Sequence, residues 1–214
     1  MFTGADLACW RGERLVFAGL SFALGPGEAL LLTGPNGSGK SSLLRLMTGL
    51  LAPAAGTLLW DGVAIARDPA AHRARLHFIG HQDAVKPILT VGETIAFWGG
   101  LRGGSNAEAA LARFGLDRLA ETPCRLLSAG QRKRLSLARL LASLAPLWLL
   151  DEPTTGLDDA SVGALEAAMA AHRADGGIVV AATHIPLALA GAQRLSLADY
   201  AASGAEAALW AAEA

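Results

Sequence analysis

Residues 34–41 read Gly34-Pro35-Asn36-Gly37-Ser38-Gly39-Lys40-Ser41, the G-x-x-x-x-G-K-[ST] spacing of a phosphate-binding loop. Glycines at these places let successive backbone N–H groups curl around phosphate oxygens without Cβ interference. A helix opening near Lys40 aims its positive end at the same anion, and Ser42 lies in its first turn. Lys40 would reach the β- and γ-phosphates of a nucleoside triphosphate, and the Ser41 hydroxyl would ligate Mg²⁺. A Gly-rich turn with an incidental lysine gives a similar string. The chain has only three lysines, however (Lys40, Lys86 and Lys133), and one falls at the required position.

Leu147-Trp148-Leu149-Leu150-Asp151-Glu152 supplies the complementary acidic half. A carboxylate ending a buried apolar strand can hold Mg²⁺ through water, which suits Asp151. Glu152, one residue on, can act as general base or orient an attacking water. Without the phosphate loop, the two acids could equally end a strand or cap the helix to which Pro153-Thr154-Thr155 leads. A second anion-binding helix start follows from Leu127-Ser128-Ala129-Gly130-Gln131, ahead of Arg132, Lys133, Arg134 and Arg139. Taken by itself, Ser128 with Gln131 three residues on is a capping box. One nucleotide does not need two phosphate-binding helix starts in one chain, so the second start suits a nucleotide held by another subunit.

The elements that must position these residues follow from hydrophobic pattern. Ala29 to Thr33, Leu147 to Leu150 and Ile178 to Ala182 are short continuous apolar runs, each ending near a polar residue. Such runs predict strands of a parallel sheet covered on both faces by helices, with ligands bound beyond their carboxyl ends. Leu43, Leu44, Met47 and Leu50 give helical spacing after the loop. Asp6 to Leu24 and Thr57 to Ile65 predict short strands and turns in an antiparallel layer, with Asp61-Gly62 as a hairpin turn. Residues 83–145 turn helical, over Val91 to Trp98, Asn106 to Phe114 and Gly130 to Leu144. Gly99-Gly100 and Gly103-Gly104 predict a loop inside that stretch, and the Ala-rich tail after Asp199 predicts a short helix or disorder.

Composition narrows the function classes. With 214 residues, 52% hydrophobic and 17% charged, the chain suits one α/β domain, and its net charge of −1 gives no electrostatic case for nucleic acid. Cys9 and Cys124 lie far apart, so neither a disulfide framework nor a zinc site is expected. No signal peptide is expected, and no run reaches the ~20 apolar residues of a membrane span. Any membrane role is expected through a partner.

Taken in order, these motifs resemble those of the ATP-binding subunits of ABC transporters. Gly34 to Ser41 resembles Walker A, Leu147 to Glu152 Walker B, and Leu127 to Gln131 the signature. Gln82 in Gly80-His81-Gln82-Asp83 resembles the Q-loop glutamine. Thr155-Gly156-Leu157-Asp158 resembles the D-loop, His184 after Thr183 the switch histidine, and Trp10 the aromatic that stacks on adenine. Ala129 departs from the usual glycine.

The resemblance implies an α/β fold: a P-loop NTPase (RecA-like) core with a mainly parallel sheet, an N-terminal antiparallel β layer and an inserted helical subdomain. Residues 1–82 and 146–200 would form the core and β layer, 83–145 the helical subdomain and 200–214 a tail. It implies ATP and Mg²⁺ as ligands, the metal held by Ser41, Gln82 and, through water, Asp151. It implies a head-to-tail pair of copies, in which Ser128 and the Gly130 amide contact the other copy's γ-phosphate. Glu152 and His184 would manage the attacking water, and Gln82 would couple to integral-membrane permease subunits.

A closer resemblance is to the haem-exporter ATP-binding family of bacterial cytochrome c maturation. Phe17-Ala18-Gly19-Leu20-Ser21-Phe22, Phe78-Ile79-Gly80-His81-Gln82, Leu-Ser-Ala-Gly-Gln and Gly176-Gly177-Ile178-Val179 carry it. It implies a peripheral position on the cytoplasmic face of the bacterial inner membrane. It also implies ATP-driven haem export or release of a haem-loaded chaperone, with haem met only indirectly. His77, His81 and Cys124 are read as core, Q-loop-adjacent and loop residues. The alternatives are an ABC subunit for another cargo (lipoprotein, metal or drug), or a soluble ABC ATPase acting on DNA or ribosomes.

Overall fold

A computed structural model describes residues 1–101 and 106–201. Two sheets organise them. The first is antiparallel, in the order β2-β1-β4-β5, with β1 (Phe2–Arg11), β2 (Arg14–Leu24), β4 (Ala55–Trp60) and β5 (Val63–Ala64). Asp61-Gly62 joins β4 to β5, as the hairpin signal predicts. The short strands expected between Asp6 and Leu24 are instead parts of two long ones. Register shifts between Gly4 and Trp10, with Asp6 at φ 50, absorb the breaks in alternation that read as turns in sequence.

The second sheet is parallel throughout, in the order β6-β7-β8-β3-β9. Its strands β3 (Ala29–Thr33), β7 (Leu147–Asp151) and β8 (Ile178–Ala182) are the apolar runs of the sequence. The edges, β6 (Leu76–Ile79) and β9 (Gln193–Ser196), are four residues each and carry too little pattern to be read. In β7 and β8 alternate side chains enter different clusters. Leu147, Leu149, Ile178, Val180 and Ala182 pack with the antiparallel sheet and α1 (Lys40–Met47). Trp148, Leu150, Val179 and Ala181 pack with α3 (Val91–Gly100), α4 (Ala107–Arg113), α5 (Ala129–Ala142) and α6 (Asp159–Ala174). The remaining helix, α2 (Pro69–Ala74), starts on an Asp68 cap with proline in its first turn. Trp148 of β7 also stacks on His172 of α6, with centroids 4.0 Å apart and the rings 5° from parallel.

The helical stretch departs from the sequence reading in two details. Gly99-Gly100 closes the last turn of α3 rather than forming a loop, because the Thr90–Glu93 capping box and the Leu101 N–H bond to Phe97 carry the helix through. Gly103-Gly104 lies outside the described residues. The last helix of the stretch stops at Ala142, not Leu144, as the chain turns extended at Ser143 ahead of Pro146. Leu50 falls beyond the end of α1 and is exposed. At the far end, Leu197–Tyr200 forms a 3-10 turn and Ala201 bridges to Phe17, while the tail expected after them lies outside the described residues.

Candidate active site

A cavity of about 550 Å³ opens at the carboxyl ends of β3, β7 and β8, where a parallel sheet places its ligands. The loop after β3 forms its floor. Lys40 is buried, and its ammonium donates to the carbonyls of Gly34 (2.8 Å) and Pro35 (3.1 Å), which tie the loop into a ring. Gly39 precedes α1 at φ 105, where only glycine is unstrained, and no side chain caps the helix start. A Cβ on Gly39 would come within 2.7 Å of Val16 Cγ1 and 2.9 Å of Phe17 Cδ1, so β2 is seated directly on the loop. Asn36, Gly37, Gly39, Lys40, Ser41 and Ser42 line the cavity. Ser38 Oγ is buried with no hydrogen-bond partner among the described residues.

The acidic wall comes from β7. Asp151, its last residue, is buried beside Ala182 of β8. Glu152 takes a left-handed backbone, φ 48, which costs a non-glycine residue roughly 1–2 kcal/mol. That turn lifts its side chain off the strand into the cavity, and its N–H is anchored on the Ala182 carbonyl at 2.8 Å. His184 comes from the loop after β8. Its Nδ1 lies 2.9 Å from Glu152 Oε2, which also accepts its backbone N–H at 3.4 Å. The Glu152 side chain is 15% exposed and that of His184 54%, so the pair has one enclosed member and one facing solvent.

Electrostatics adds a residue the sequence reading took only as part of a basic helix. Lys133 of α5 is buried, and burial lowers its pKa against the opposing pull of Asp83, Asp151 and Glu152. The helix that begins at Ser128 thus delivers a cation to the acidic wall of its own chain.

An uncapped helix start, an orphaned hydroxyl and a lysine on the loop fit a polyphosphate. Ser41 and Asp151, hard oxygen donors in one cavity, fit a magnesium ion held partly by phosphate. Together the groups can bind a triphosphate, bear its charge and place a carboxylate–imidazole pair beside it.

Two residues named from the sequence stand outside this lining. Trp10 does not line the cavity; Arg11 does, because successive residues of β1 face opposite ways. Gln82 is exposed and outside the lining, while His81 is within it. Arg14, Val16 and Thr155 complete the lining, and the first two went unremarked in sequence. The one signal for them was the Gly12-Glu13 turn, which sets Arg11 opposite Arg14.

Ser128, Ala129, Gly130 and Gln131 stand outside this cavity at the start of α5. The capping box is formed, with Gln131 N–H donating to Ser128 Oγ (3.2 Å) and Ser128 N–H to Gln131 Oε1 (2.8 Å). Ser128 and Ala129 are exposed, and Ala129 is not among the positive-φ residues, so its methyl sits without strain. Asp158 caps α6 by accepting the Ser161 N–H at 2.8 Å, and its bonds with Ser161 hold its carboxyl below the usual range.

Comparison with known proteins bears on the family and the fold. The family model described as ABC transporter matches residues 17–155. The chain is similar to the cytochrome c biogenesis ATP-binding export protein CcmA of Paramagnetospirillum magneticum, at 57% identity over 206 residues, 94% of this chain and 95% of that protein. It is 58% identical over 203 residues to the protein of the same name from Rhodospirillum rubrum, covering 94% and 87%. A solved ATP-binding subunit of an ABC transporter superposes with a TM-score of 0.80 at 27% identity, over 86% of this chain and 80% of that one.

Proposed function

The chain belongs to the ABC transporter family, and on that premise we propose that it hydrolyses ATP as one half of a head-to-tail pair of copies, powering export in cytochrome c biogenesis. The observation that carries the reading is the Glu152–His184 pair, 2.9 Å apart, in the cavity that also holds Lys40, Ser41 and Asp151.

In this reading the Gly34–Ser42 backbone and Lys40 hold the β- and γ-phosphates. Ser41 and Asp151 hold Mg²⁺, with Gln82 joining if its loop closes; the ion, when bound, neutralises charge on the phosphate oxygens. Water attacks the γ-phosphorus as the bond to the bridging oxygen breaks, and Glu152 accepts the water's proton. His184 keeps the carboxylate oriented and faces the charge that develops on the γ-phosphate. ADP and phosphate leave, and the proton follows.

Ser128, the Gly130 amide and Gln131 serve the nucleotide of the second copy, with Ala129 and Asp158 beside them at the interface. The exposure of Ser128, Ala129 and Asp158, and the separation of all five residues from the cavity of their own chain, support this arrangement. No helix among the described residues is long and apolar enough to cross a membrane. The pair would sit peripherally on integral-membrane permease subunits, at the cytoplasmic face of the inner membrane. The export proteins to which the chain is 57% and 58% identical support haem export, or release of a haem-loaded chaperone, as the work done.

Glu152→Gln tests the catalytic assignment. ATP binding should persist, hydrolysis should fall by roughly a hundredfold or more, and light scattering should show an ATP-dependent shift to a dimer. Unimpaired turnover refutes the role of Glu152. Isolation of the chain from membranes without any cytochrome-biogenesis subunit refutes the haem assignment.

A further inference from the structure

The wall of the cavity above the phosphate loop is built by a hairpin whose composition is unusual for a nucleotide site. β1 and β2 are joined by the two-residue turn Gly12-Glu13, which pairs Arg11 directly with Arg14. Paired residues of antiparallel strands present their side chains on one face, and Val16, two residues past Arg14, shares it. All three line the cavity. Val16 also touches the position a Gly39 side chain would occupy, so the wall adjoins the phosphate loop without a gap. A triphosphate on that loop would extend its sugar and base against this wall.

Two features give the wall a purpose. Like charges placed directly opposite on neighbouring strands repel, yet among the described residues neither arginine forms a salt bridge with a carboxylate. The pair therefore stands exposed and uncompensated at the mouth of a site for a polyanion. Moreover, among the described residues no Phe, Tyr or Trp is in the lining, and half-buried Trp10 is outside it. A guanidinium is planar, delocalised and weakly hydrated, and it stacks on aromatic faces.

We propose that Arg11 and Arg14 form the nucleobase platform of the ATP site, a guanidinium lying against the purine face with Val16 beneath it. This rests on the ATP reading above. It adds a consequence for specificity. The wall offers donors and a flat cation but no acceptor, so it reads features that adenine and guanine share, the ring face and N7. Strong rejection of one purine needs buried groups matched to its edge, and the wall has none.

The test uses the full-length chain with Mg²⁺ and titrates ATP, GTP and inorganic tripolyphosphate by calorimetry. It compares wild type with the double variants Arg11→Ala/Arg14→Ala and Arg11→Lys/Arg14→Lys. ATP and GTP should bind the wild type within about fivefold of each other. The alanine variant should bind ATP roughly three- to thirtyfold more weakly, and tripolyphosphate should lose clearly less than ATP, only what the two charges contribute through solvent. The lysine variant, which keeps both charges and loses both planes, should recover less than half of that loss on a logarithmic scale. Equal weakening of ATP and tripolyphosphate would assign the arginines to the phosphates and overturn the platform, as would full rescue by lysine. ATP binding unaffected by either variant would remove the platform and leave the ATP site standing. A wild-type chain that binds neither ATP nor tripolyphosphate would overturn both readings.

Discussion

His172 makes folding stability sensitive to mild acid, by an amount that follows from its surroundings. Its imidazole is stacked on Trp148, and its Nε2 is buried without a hydrogen-bond partner. Burial pushes its pKa down from 6.5 to about 4, against the smaller opposing effects of the Ile178 and Pro146 backbone and the Asp175 charge. The folded pKa lies below the unfolded one, so the unfolded chain takes up a proton that the folded chain refuses. Stability from this group is complete above about pH 7.5, is lost as pH falls through 6.5, and levels off near pH 4. At pH 5 the unfolded imidazole is nearly all protonated and the folded one nearly all neutral. The linkage is then RT ln of about 30, or about 2 kcal/mol. The assay is urea unfolding at pH 7.5 and pH 5 for wild type and His172→Phe, which keeps a ring on Trp148 and removes the titration. Wild type should lose about 2 kcal/mol more than the variant between the two pH values, carboxylate effects cancelling in the difference. Parallel losses in the two proteins would refute the reasoning.

Further outcomes follow from the phosphate loop. Lys40→Ala removes a charge-assisted phosphate contact and should weaken ATP binding by about ten- to a hundredfold in calorimetry, at unchanged Mg²⁺; normal affinity would contradict the loop's assignment. Gly39→Ala places a methyl 2.7 Å from Val16 Cγ1 at φ 105 and should cost about 2–4 kcal/mol. A scanning-calorimetry midpoint equal to that of wild type would mean that β2 does not rest on the loop.

The sequence disclosed what is local and periodic. β3 and β8 run over the residues that their apolar runs predict, and β7 extends its run by one, because a strand buried on both faces leaves little choice of composition. The phosphate loop was legible because its geometry needs glycines at fixed intervals. The nearness of His184 to Glu152 was not, since those residues are 32 apart and meet only because β8 lies beside β7. Arg11 rather than Trp10 reaches the cavity through strand register, which irregularities at Gly4, Leu7 and Cys9 hide from any count of alternation. In sequence Lys133 is one of four cations on a basic helix. Only the way α5 lies against the parallel sheet buries it among carboxylates.

The central strands have one more consequence. Since β7 and β8 send alternate side chains into the two clusters on either side of the sheet, neither cluster owns its wall. Melting one side would strip packing from the back of the strands that the other side needs, so the halves gain or lose structure as a single cooperative unit. For the same reason Asp151 and Glu152 ride on a beam clamped from both faces. A displacement of the helices on one face therefore reaches the acidic wall as a tilt of the whole strand, not as a local rearrangement.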